Sequence, residues 1–289
     1  MSRIAYVNGR YVPHREAAVH VEDRGYQFAD GVYEVVCVHA GRIIDEEPHL
    51  DRLERSLREL RIAMPMGRPA YRHVTRELVR RNRVTDGIVY TQITRGVARR
   101  DHPFPAAGTP PSIVMTSRRI KPQDPALFQK GIAVISTPDI RWQRCDIKSV
   151  SLLPNILAKQ QAREAGAYEA WFVDRDGNVT EGSSTNAWIV TRDGELVTRQ
   201  LGSTILGGIT RRSLIGLAEA AQVKVVERPF TLEEARQARE AFLTSTTSFV
   251  IPIVALDGRP VGTGKPGPVA ARLRELYDGY MDRPGPAPG

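Results

Sequence analysis

The chain has 289 residues, of which 41% are hydrophobic and 26% are charged, and its formal net charge is +8. This length suits two domains of ordinary size or one large one, and the composition is typical of a globular protein with a buried core. No run of about 18 uncharged apolar residues occurs, so the sequence predicts no membrane span. Met1-Ser2-Arg3-Ile4 is not followed by an apolar segment, so we expect no secretory signal.

The two cysteines and the scattered charge narrow the class of protein further. Cys37 and Cys145 give neither a disulfide framework nor metal-ligand spacing, so we expect a cytoplasmic protein without a metal site. The positive charge is the one feature that favours a nucleic-acid-binding module. However, the arginines alternate with acids and only 7% of residues are aromatic, so no basic tract or stacking platform is present. We therefore expect no nucleic acid partner.

The first part of the chain predicts antiparallel strands and two helices. Asn8-Gly9 favours the positive φ angles of a type I′ turn and predicts a hairpin over residues 4–12. Leucines recur at helical spacing behind Pro48 and predict a helix over 49–61. The other predicted elements are a hairpin of 31–38 and 42–45, a weaker helix after Pro69 with Val74 and Leu78 inward, and strands at 88–94 and 113–116.

The segment from Arg118 to Pro125 contains two prolines and is the predicted linker between two domains, 1–120 and 121–283. The tail at 284–289 is rich in proline and glycine and is expected to be disordered. The predicted elements after the linker are a strand at 132–136, a helix at 155–165 ended by Gly166, strands at 170–173 and 186–190 around a turn at 174–177, a helix at 210–221, and a helix after a capping box at 231–234. Because strands and helices do not alternate strictly, we expect an α+β chain.

Lys148 stands out among the six lysines by its sequence neighbours. It lies between Ile147 and the mostly apolar residues 150–153, where an amine can lose its water and act as a nucleophile. A single lysine is more often a solvated charge, so this interpretation depends on the groups that accompany it.

Glu181 is the first of those groups. Residues 182–184 after it are small and favour close approach of the backbone to a flat ligand. A lysine that forms a Schiff base and an acid that keeps a ring nitrogen protonated are the two protein groups that pyridoxal phosphate chemistry most needs. The plainer interpretation of Glu181 is an exposed carboxylate at the start of a strand.

A phosphate site is the second requirement. Gly207 and Gly208 precede a predicted helix and lack the Gly-Lys-Ser/Thr ending of a nucleotide P-loop, so the segment suits a monophosphate. Arg52 and the hydroxyl cluster at 245–248 are further candidates. Their plainer interpretations are an N-capped helix, a surface arginine and a polar turn.

These segments occur together in an order that resembles the fold-type IV pyridoxal-phosphate aminotransferases, most closely the D-amino-acid aminotransferases. The resemblance covers about residues 4 to 280. The matching segments are Glu22-Asp-Arg-Gly-Tyr-Gln-Phe28, Asp30-Gly-Val-Tyr-Glu34, His49-Leu-Asp-Arg52, Thr94-Arg-Gly96, Arg100-Asp-His102, Arg141-Trp-Gln-Arg-Cys-Asp-Ile-Lys148, Thr180-Glu-Gly-Ser-Ser184, Gly208-Ile-Thr-Arg211 and Ser245-Thr-Thr-Ser248.

The resemblance implies a small N-terminal α/β domain and a larger C-terminal pseudo-barrel domain that binds pyridoxal 5′-phosphate, with the active site between them. Lys148 would form the Schiff base and move a proton between the substrate Cα and the cofactor, and Glu181 would pair with the pyridine nitrogen. The remaining cofactor contacts would come from Arg52, Ile209, Thr210 and Thr246 at the phosphate, Leu206 at the ring, and Ser184.

The same resemblance assigns the substrate. Tyr33 and Thr247 would contact it, and Arg100 and His102 would bind its α-carboxylate from the neighbouring subunit of a homodimer. The implied reaction moves an amino group from a D-amino acid such as D-alanine to a 2-oxo acid such as 2-oxoglutarate or pyruvate. Branched-chain L-amino-acid aminotransferases share the lysine and the glutamate but lack the Arg-x-His pair at this place.

Two other enzyme classes of the same fold, (R)-amine transaminase and aminodeoxychorismate lyase, remain open because they share the cofactor residues. Two positions also depart from the family pattern. Ala29 stands where the family commonly has glycine, and Phe249 stands where many members have glutamate.

Overall fold

The computed structural model of the chain describes residues 3–283, so the predicted disordered tail at 284–289 lies outside the described residues. Two compact units are present. The first contains the described residues up to Lys121 together with Ile147–Ser151, and the second contains Pro122–Asp146 and the chain from Leu152 onward. The segment around Lys148 therefore belongs to the first unit, although its sequence position lies beyond the predicted linker.

The first unit is an antiparallel sheet with two long helices. Its strands are β1 Ile4–Val7, β2 Arg10–Pro13, β3 Gly31–His39, β4 Arg42–Ile43, β5 Gly87–Thr94 and β6 Ser112–Arg119. Their order across the sheet is β2-β1-β6-β5-β3-β4. Its helices are α1 Arg24–Phe28, α2 Glu46–Glu59 and α3 Arg68–Arg81, and a 3-10 turn spans His14–Glu16.

The hydrophobic spacing of α2 and α3 builds the core of this unit. Leu50, Leu53 and Leu57 of α2 pack with Leu78 of α3 against alternate residues of the strands. This confirms the predicted helices and their inward faces. Helix α2 begins three residues earlier than predicted because proline is tolerated in the first turn of a helix, where Pro48 lies.

The predicted first hairpin is also confirmed. Asn8 has φ of 44° and Gly9 has φ of 91°, and β1 pairs with β2 on either side of them. Both central residues of a type I′ turn need positive φ, and asparagine and glycine adopt it at the lowest cost.

The second unit is built on a mixed nine-stranded sheet. Its strands are β7 Ile132–Pro138, β8 Glu169–Val173, β9 Val179–Gly182, β10 Asn186–Val190, β11 Leu196–Thr198, β12 Val225–Glu227, β13 Glu240–Ser245, β14 Phe249–Leu256 and β15 Arg259–Pro260. The order is β12-β11-β10-β13-β14-β7-β8-β9, with β15 beside β14. Its helices are α4 Ala126–Gln129, α5 Leu153–Glu164, α6 Ile209–Ala220, α7 Leu232–Gln237 and α8 Pro268–Asp282.

The α+β class predicted from the sequence is confirmed, since parallel and antiparallel pairs occur in this one sheet. Strand β9 was not predicted, because Gly182 and the serines after it are poor strand formers. The predicted capping box forms only in part. Thr231 accepts the Glu234 N–H at 3.0 Å, but the Glu234 carboxylate pairs with Arg228 instead of returning to the helix start.

Within residues 3–283, no helix has an apolar stretch long enough to cross a lipid bilayer.

Ala29 ends α1 in the left-handed region, with φ of 55°. A Cβ in that region is strained, whereas glycine adopts it freely. We expect Ala29→Gly to raise the free energy of unfolding by about 1 kcal/mol, measured by denaturant unfolding. The matched control is Ala165→Gly, which also replaces a helix C-cap but at φ of −79°, and which should lower stability. Equal losses in both variants would contradict the strain at Ala29.

Candidate active site

Lys148 is held against β3 by main-chain hydrogen bonds. Its carbonyl accepts the Tyr33 N–H at 3.0 Å, and the Val150 N–H donates to the Gly31 carbonyl at 3.1 Å. The Lys148 N–H donates to the Ser56 hydroxyl at 3.2 Å. These bonds explain why this short segment belongs to the first unit, and they fix the backbone on both sides of the lysine.

The Lys148 ammonium lies over the ring of Tyr33. Nζ is 4.0 Å from the ring centroid, and the Tyr33 ring in turn stacks on Tyr90 with centroids 5.8 Å apart. A cation over an aromatic face is attracted by the ring quadrupole. The structure thus brings together Lys148 and Tyr33, two of the residues that the sequence analysis selected.

Arg52 is oriented by a buried carboxylate. Its Nε and Nη2 donate to the two oxygens of Glu34, both at 2.8 Å, and His49 Nδ1 lies 2.8 Å from Glu34 Oε2. Burial alone would raise the pKa of Glu34, but the charge and hydrogen bonds of Arg52 outweigh it and hold this pKa well below its usual value. Arg52 is therefore a fixed guanidinium, and the plain interpretation of a solvated surface arginine does not describe it.

Arg100 and His102 lie on one exposed loop, residues 99–105, and both contact the ring of Phe28. The Arg100 guanidinium carbon is 5.0 Å from the ring centroid, and the His102 ring centroid is 5.6 Å from it. The predicted pair is thus brought together on a single aromatic surface of the first unit.

Glu181 lies in β9 and is buried, in contrast to its plain interpretation as an exposed carboxylate. One oxygen accepts from Arg141 Nη1, and the other accepts the Leu206 N–H at 3.0 Å and Asn186 Nδ2 at 3.2 Å. Asp139 holds Arg141 by two further hydrogen bonds of 2.9 and 2.7 Å. Burial raises the pKa of Glu181, with Arg141 and the Leu206 N–H opposing the shift.

Asn186 connects Glu181 to the start of α6. Its Nδ2 donates to Glu181 and also to the Leu206 carbonyl at 2.9 Å. A Cβ on Gly208 would lie 2.0 Å from Asn186 Oδ1, so only glycine fits at that point. The acid and the helix start therefore form one connected group within the second unit.

The N-terminus of α6 offers donors to an anion. Its N-cap residue, Gly208, provides no side chain to cap the helix, and Ile209 and Thr210 follow in its first turn. Unpaired N–H groups and the helix dipole favour a phosphate at such an end. Ile209 and Thr210, predicted at the phosphate, lie in the first turn of this helix.

The hydroxyl cluster at 245–248 is a tight turn between β13 and β14. The Ser248 N–H donates to the Ser245 hydroxyl at 3.0 Å, and Thr246 and Thr247 occupy the tip. Phe249 follows with φ of 56°. Its ring centroid lies 5.7 Å from that of Tyr277, so this departure from the family pattern packs on helix α8.

Ser184, predicted at the cofactor, lies in the turn between Glu181 and Asn186. Its hydroxyl donates to Glu169 Oε2 at 3.2 Å, as does that of Thr185 at 3.3 Å, while Ser183 donates to the other oxygen of Glu169. This buried acid organises the turn between Glu181 and Asn186.

Five residues that hold the candidate site residues in place were not selected from the sequence: Glu34, Asp139, Arg141, Glu169 and Asn186. Arg141 and Glu34 lie inside segments that match the family, so their positions were a usable signal. Asn186 lies two residues beyond such a segment, and nothing in the local sequence distinguishes Glu169 from ordinary strand residues.

Neither cysteine is suited to nucleophilic chemistry. Burial raises the pKa of the Cys37 thiol and of the Cys145 thiol, each to about 12. Within residues 3–283, no group of three or more histidine, cysteine or acidic side chains forms a metal site.

Comparison with known proteins agrees with this geometry. A family model described as amino-transferase class IV matches residues 31–256. This chain therefore belongs to the class IV aminotransferases. It is 40% identical over 267 residues to a D-alanine aminotransferase of Bacillus licheniformis, covering 92% of this chain and 93% of that protein. It is 38% identical to one of Staphylococcus aureus, covering 96% and 97% respectively.

Solved structures show the same fold. A branched-chain amino acid aminotransferase from T.th., crystallised with pyridoxamine 5′-phosphate, has a TM-score of 0.89 and 28% identity, covering 98% of this chain and 96% of that one. The branched-chain enzyme of Escherichia coli has a TM-score of 0.88 at 24% identity, covering 99% and 98%, which shows the fold alone.

The buried pair of Glu34 and Arg52 makes stability depend on acid pH. Because the pKa of Glu34 is lowered by folding, its stabilisation is fully present above the unfolded-state pKa and is lost as the pH falls below it. We expect Glu34→Gln to cost about 3–5 kcal/mol near neutral pH. Between about pH 5 and about pH 3, the variant should lose less unfolding free energy than the original protein, measured by urea unfolding.

The control for this prediction is Glu54→Gln. Glu54 also pairs with an arginine, Arg68, but both side chains are about a quarter to a third exposed. Surface pairs contribute about 0–1 kcal/mol, so this variant should differ little from the original protein. If Glu54→Gln and Glu34→Gln showed the same acid profile, the buried pair would not carry the pH dependence.

Proposed function

We propose that this class IV aminotransferase uses pyridoxal 5′-phosphate to transfer the amino group of a D-amino acid to a 2-oxo acid, as a cytoplasmic homodimer. The observation that carries the choice of a D-amino acid is the Arg100 and His102 pair on the Phe28 ring. A guanidinium and an imidazole on one short loop supply the donors that an α-carboxylate needs. The similarity to two D-alanine aminotransferases supports the same choice.

The donor set of the second unit fits the cofactor. A buried carboxylate suits a pyridine nitrogen, and the α6 N-terminus suits a monophosphate. Asn186 fixes these two groups relative to each other. We assign Glu181 to the ring nitrogen, Ile209, Thr210 and Thr246 to the phosphate, and Leu206 to the ring. Arg52, held by Glu34, adds positive charge for the phosphate.

When bound, pyridoxal 5′-phosphate withdraws electrons from the Cα of the amino acid joined to it. Lys148 would hold the cofactor through Nζ, and once the substrate amine has displaced it, the freed Nζ would take the proton from Cα and deliver it to the cofactor. The face of Tyr33, 4.0 Å away, holds the ammonium group while Lys148 carries that proton. Glu181 keeps the ring nitrogen protonated, and Arg141 and Asn186 keep Glu181 in place.

We assign Arg100 and His102 to the α-carboxylate of the substrate, and Tyr33 and Thr247 to the substrate as well. We assign Ser184, whose hydroxyl also donates to Glu169, to the cofactor. A simple amine has no carboxylate for Arg100 and His102 to bind. The pair therefore favours amino acids over (R)-amines as substrates.

A branched-chain L-amino acid is the second candidate substrate, favoured by the fold shared with the branched-chain enzyme from T.th.. We expect D-alanine with 2-oxoglutarate to be converted at least about tenfold faster than L-leucine, since a misplaced carboxylate loses its charge-assisted hydrogen bonds. Alanine or leucine consumption measured by chromatography distinguishes the two. Conversion of L-leucine alone would replace the proposed donor and leave the cofactor assignment intact.

Mixing two inactive variants tests whether Arg100 and His102 serve the neighbouring subunit. Lys148→Ala and Arg100→Ala each disable every site of their own homodimer. If the pair acts across the interface, each mixed dimer has one intact site, so the isolated mixed dimer should show about half of the original D-alanine activity. The two variants are coexpressed, and the mixed dimer is isolated by two affinity tags. Mixed dimers without activity would place the pair in the subunit that carries it.

A further inference from the structure

The segment Asp23-Arg24-Gly25, with Phe28 and Asp30 after it, matches the family but has no role in the function proposed above. It forms α1 and the turn that leads into β3. Asp23 caps α1 by accepting the Gly25 N–H at 2.8 Å and also accepts the Thr94 hydroxyl at 2.9 Å. A Cβ on Gly25 would lie 2.2 Å from the Thr94 Cγ2, so α1 packs closely on β5. The short helix is therefore rigidly seated.

Arg24 is a buried guanidinium whose three nitrogens all have acceptors. Only 4% of its surface is exposed. Nε donates to Asp30 Oδ2 at 2.8 Å, Nη1 donates to the Asp101 carbonyl at 2.6 Å, and Nη2 donates to the His102 carbonyl at 3.4 Å. It thus spans 77 residues of sequence to hold two consecutive peptide groups in the 99–105 loop.

The same helix supplies the surface on which that loop rests. The Phe28 ring contacts Arg24 at 4.8 Å, Arg100 at 5.0 Å and the His102 ring at 5.6 Å. The main chain of the loop is held by Arg24, and the two side chains of the pair are held against the ring.

Asp30 holds Arg24 in place. Its carboxylate accepts a hydrogen bond from Arg24 and two from Arg95, whose Nε and Nη2 lie 2.7 and 2.9 Å from its oxygens. Arg95 further donates to the carbonyls of Leu60 and Arg61 and lies 3.7 Å from the Phe104 ring. Burial would raise the pKa of Asp30, but its hydrogen bonds to the two arginines lower it, so this carboxylate stays ionised.

We propose that Arg24 is a positioning residue that fixes the 99–105 loop, and through it the Arg100 and His102 pair that binds the substrate α-carboxylate. This inference rests on the proposed function. A planar guanidinium can hold a carboxylate and two carbonyls at once, whereas a lysine ammonium on a flexible stem cannot reproduce that fork. Small errors in the placement of a binding group are costly, about a hundredfold in rate for a displacement of about 1 Å.

The test compares Arg24→Lys with the original holoenzyme. We expect the KM for D-alanine to rise about tenfold while kcat changes less than about threefold, since the lost interaction is uniform carboxylate binding. The inhibition constant of propionate, a carboxylate without an amine, should rise by the same factor. If both constants stay unchanged, or if kcat falls while they stay unchanged, Arg24 does not position the pair.

Arg119→Lys is the matched control. Arg119 also lies in the first unit and donates two nitrogens to one main-chain carbonyl, that of Arg83, at 2.9 and 2.6 Å. Its replacement should leave the KM and the propionate constant within about twofold, because a surface contact of this kind contributes little. A tenfold rise in this control as well would show a general loss of structure and overturn the specific role of Arg24.

A double-mutant cycle separates positioning from a purely structural role. In an Arg100→Lys background, Arg24→Lys should add little to the KM, because it acts through the group already altered. Independent, multiplicative effects would overturn the proposal. If Arg24→Lys gives little folded protein, Phe28→Leu takes its place in the cycle, with the same expected rise in KM.

The two proposals fail in different ways. An original enzyme that does not convert D-alanine overturns the proposed function. An original enzyme that converts D-alanine, with an Arg24→Lys variant of unchanged KM, overturns only the role of Arg24.

Discussion

A buried carboxylate has to be fully hydrogen-bonded, and this constraint organises the candidate active site. Glu181 meets it with three donors from three separate parts of the second unit: Arg141 before α5, Asn186 at the start of β10, and the Leu206 N–H before α6. Each donor is in turn fixed, Arg141 by Asp139 and Asn186 by the Leu206 carbonyl. One set of hydrogen bonds therefore fixes both the Glu181 carboxylate and the start of α6, where we propose that the phosphate binds.

Two acids of the first unit are paired in the same way. Glu34 orients Arg52, and Asp30 orients Arg24 and Arg95. In each case an acid on or beside β3 fixes an arginine: we propose Arg52 for the phosphate, and Arg24 holds the 99–105 loop. Loss of either acid would leave its arginine unpaired in the interior, which is strongly destabilising. Each acid therefore affects the structure beyond its own position.

Local features of the fold could be predicted from the sequence, whereas the long-range hydrogen bonds could not. The Asn8-Gly9 turn and the leucine spacing of α2 depend on neighbouring residues, and both predictions are confirmed. Strand β9 was missed because its pairing with β8 overrides the low strand propensity of Gly182. The placement of the Lys148 segment depends on bonds to β3, more than a hundred residues earlier, which no local pattern encodes.

The same contrast holds for the candidate site. Lys148 was selected from its apolar neighbours and Glu181 from the small residues after it, whereas Arg100 and His102 were selected from the family resemblance. Arg24, Glu34 and Asn186 lie within or beside the segments that match the family, but their roles depend on partners found only in three dimensions. The plainer interpretation of Arg52 was a surface arginine, and the buried ion pairs of Arg24, Arg52 and Arg141 show where that interpretation fails.

The chain has 41 basic residues, and only six of them are lysines. A guanidinium keeps its charge far above the pH at which an amine becomes neutral. The cations that hold Glu181, Glu34 and Asp30 are therefore permanent, while the one amine proposed to exchange protons is chemically distinct from all of them. The ion pairs that hold these three acids therefore keep their positive partners in alkaline solution.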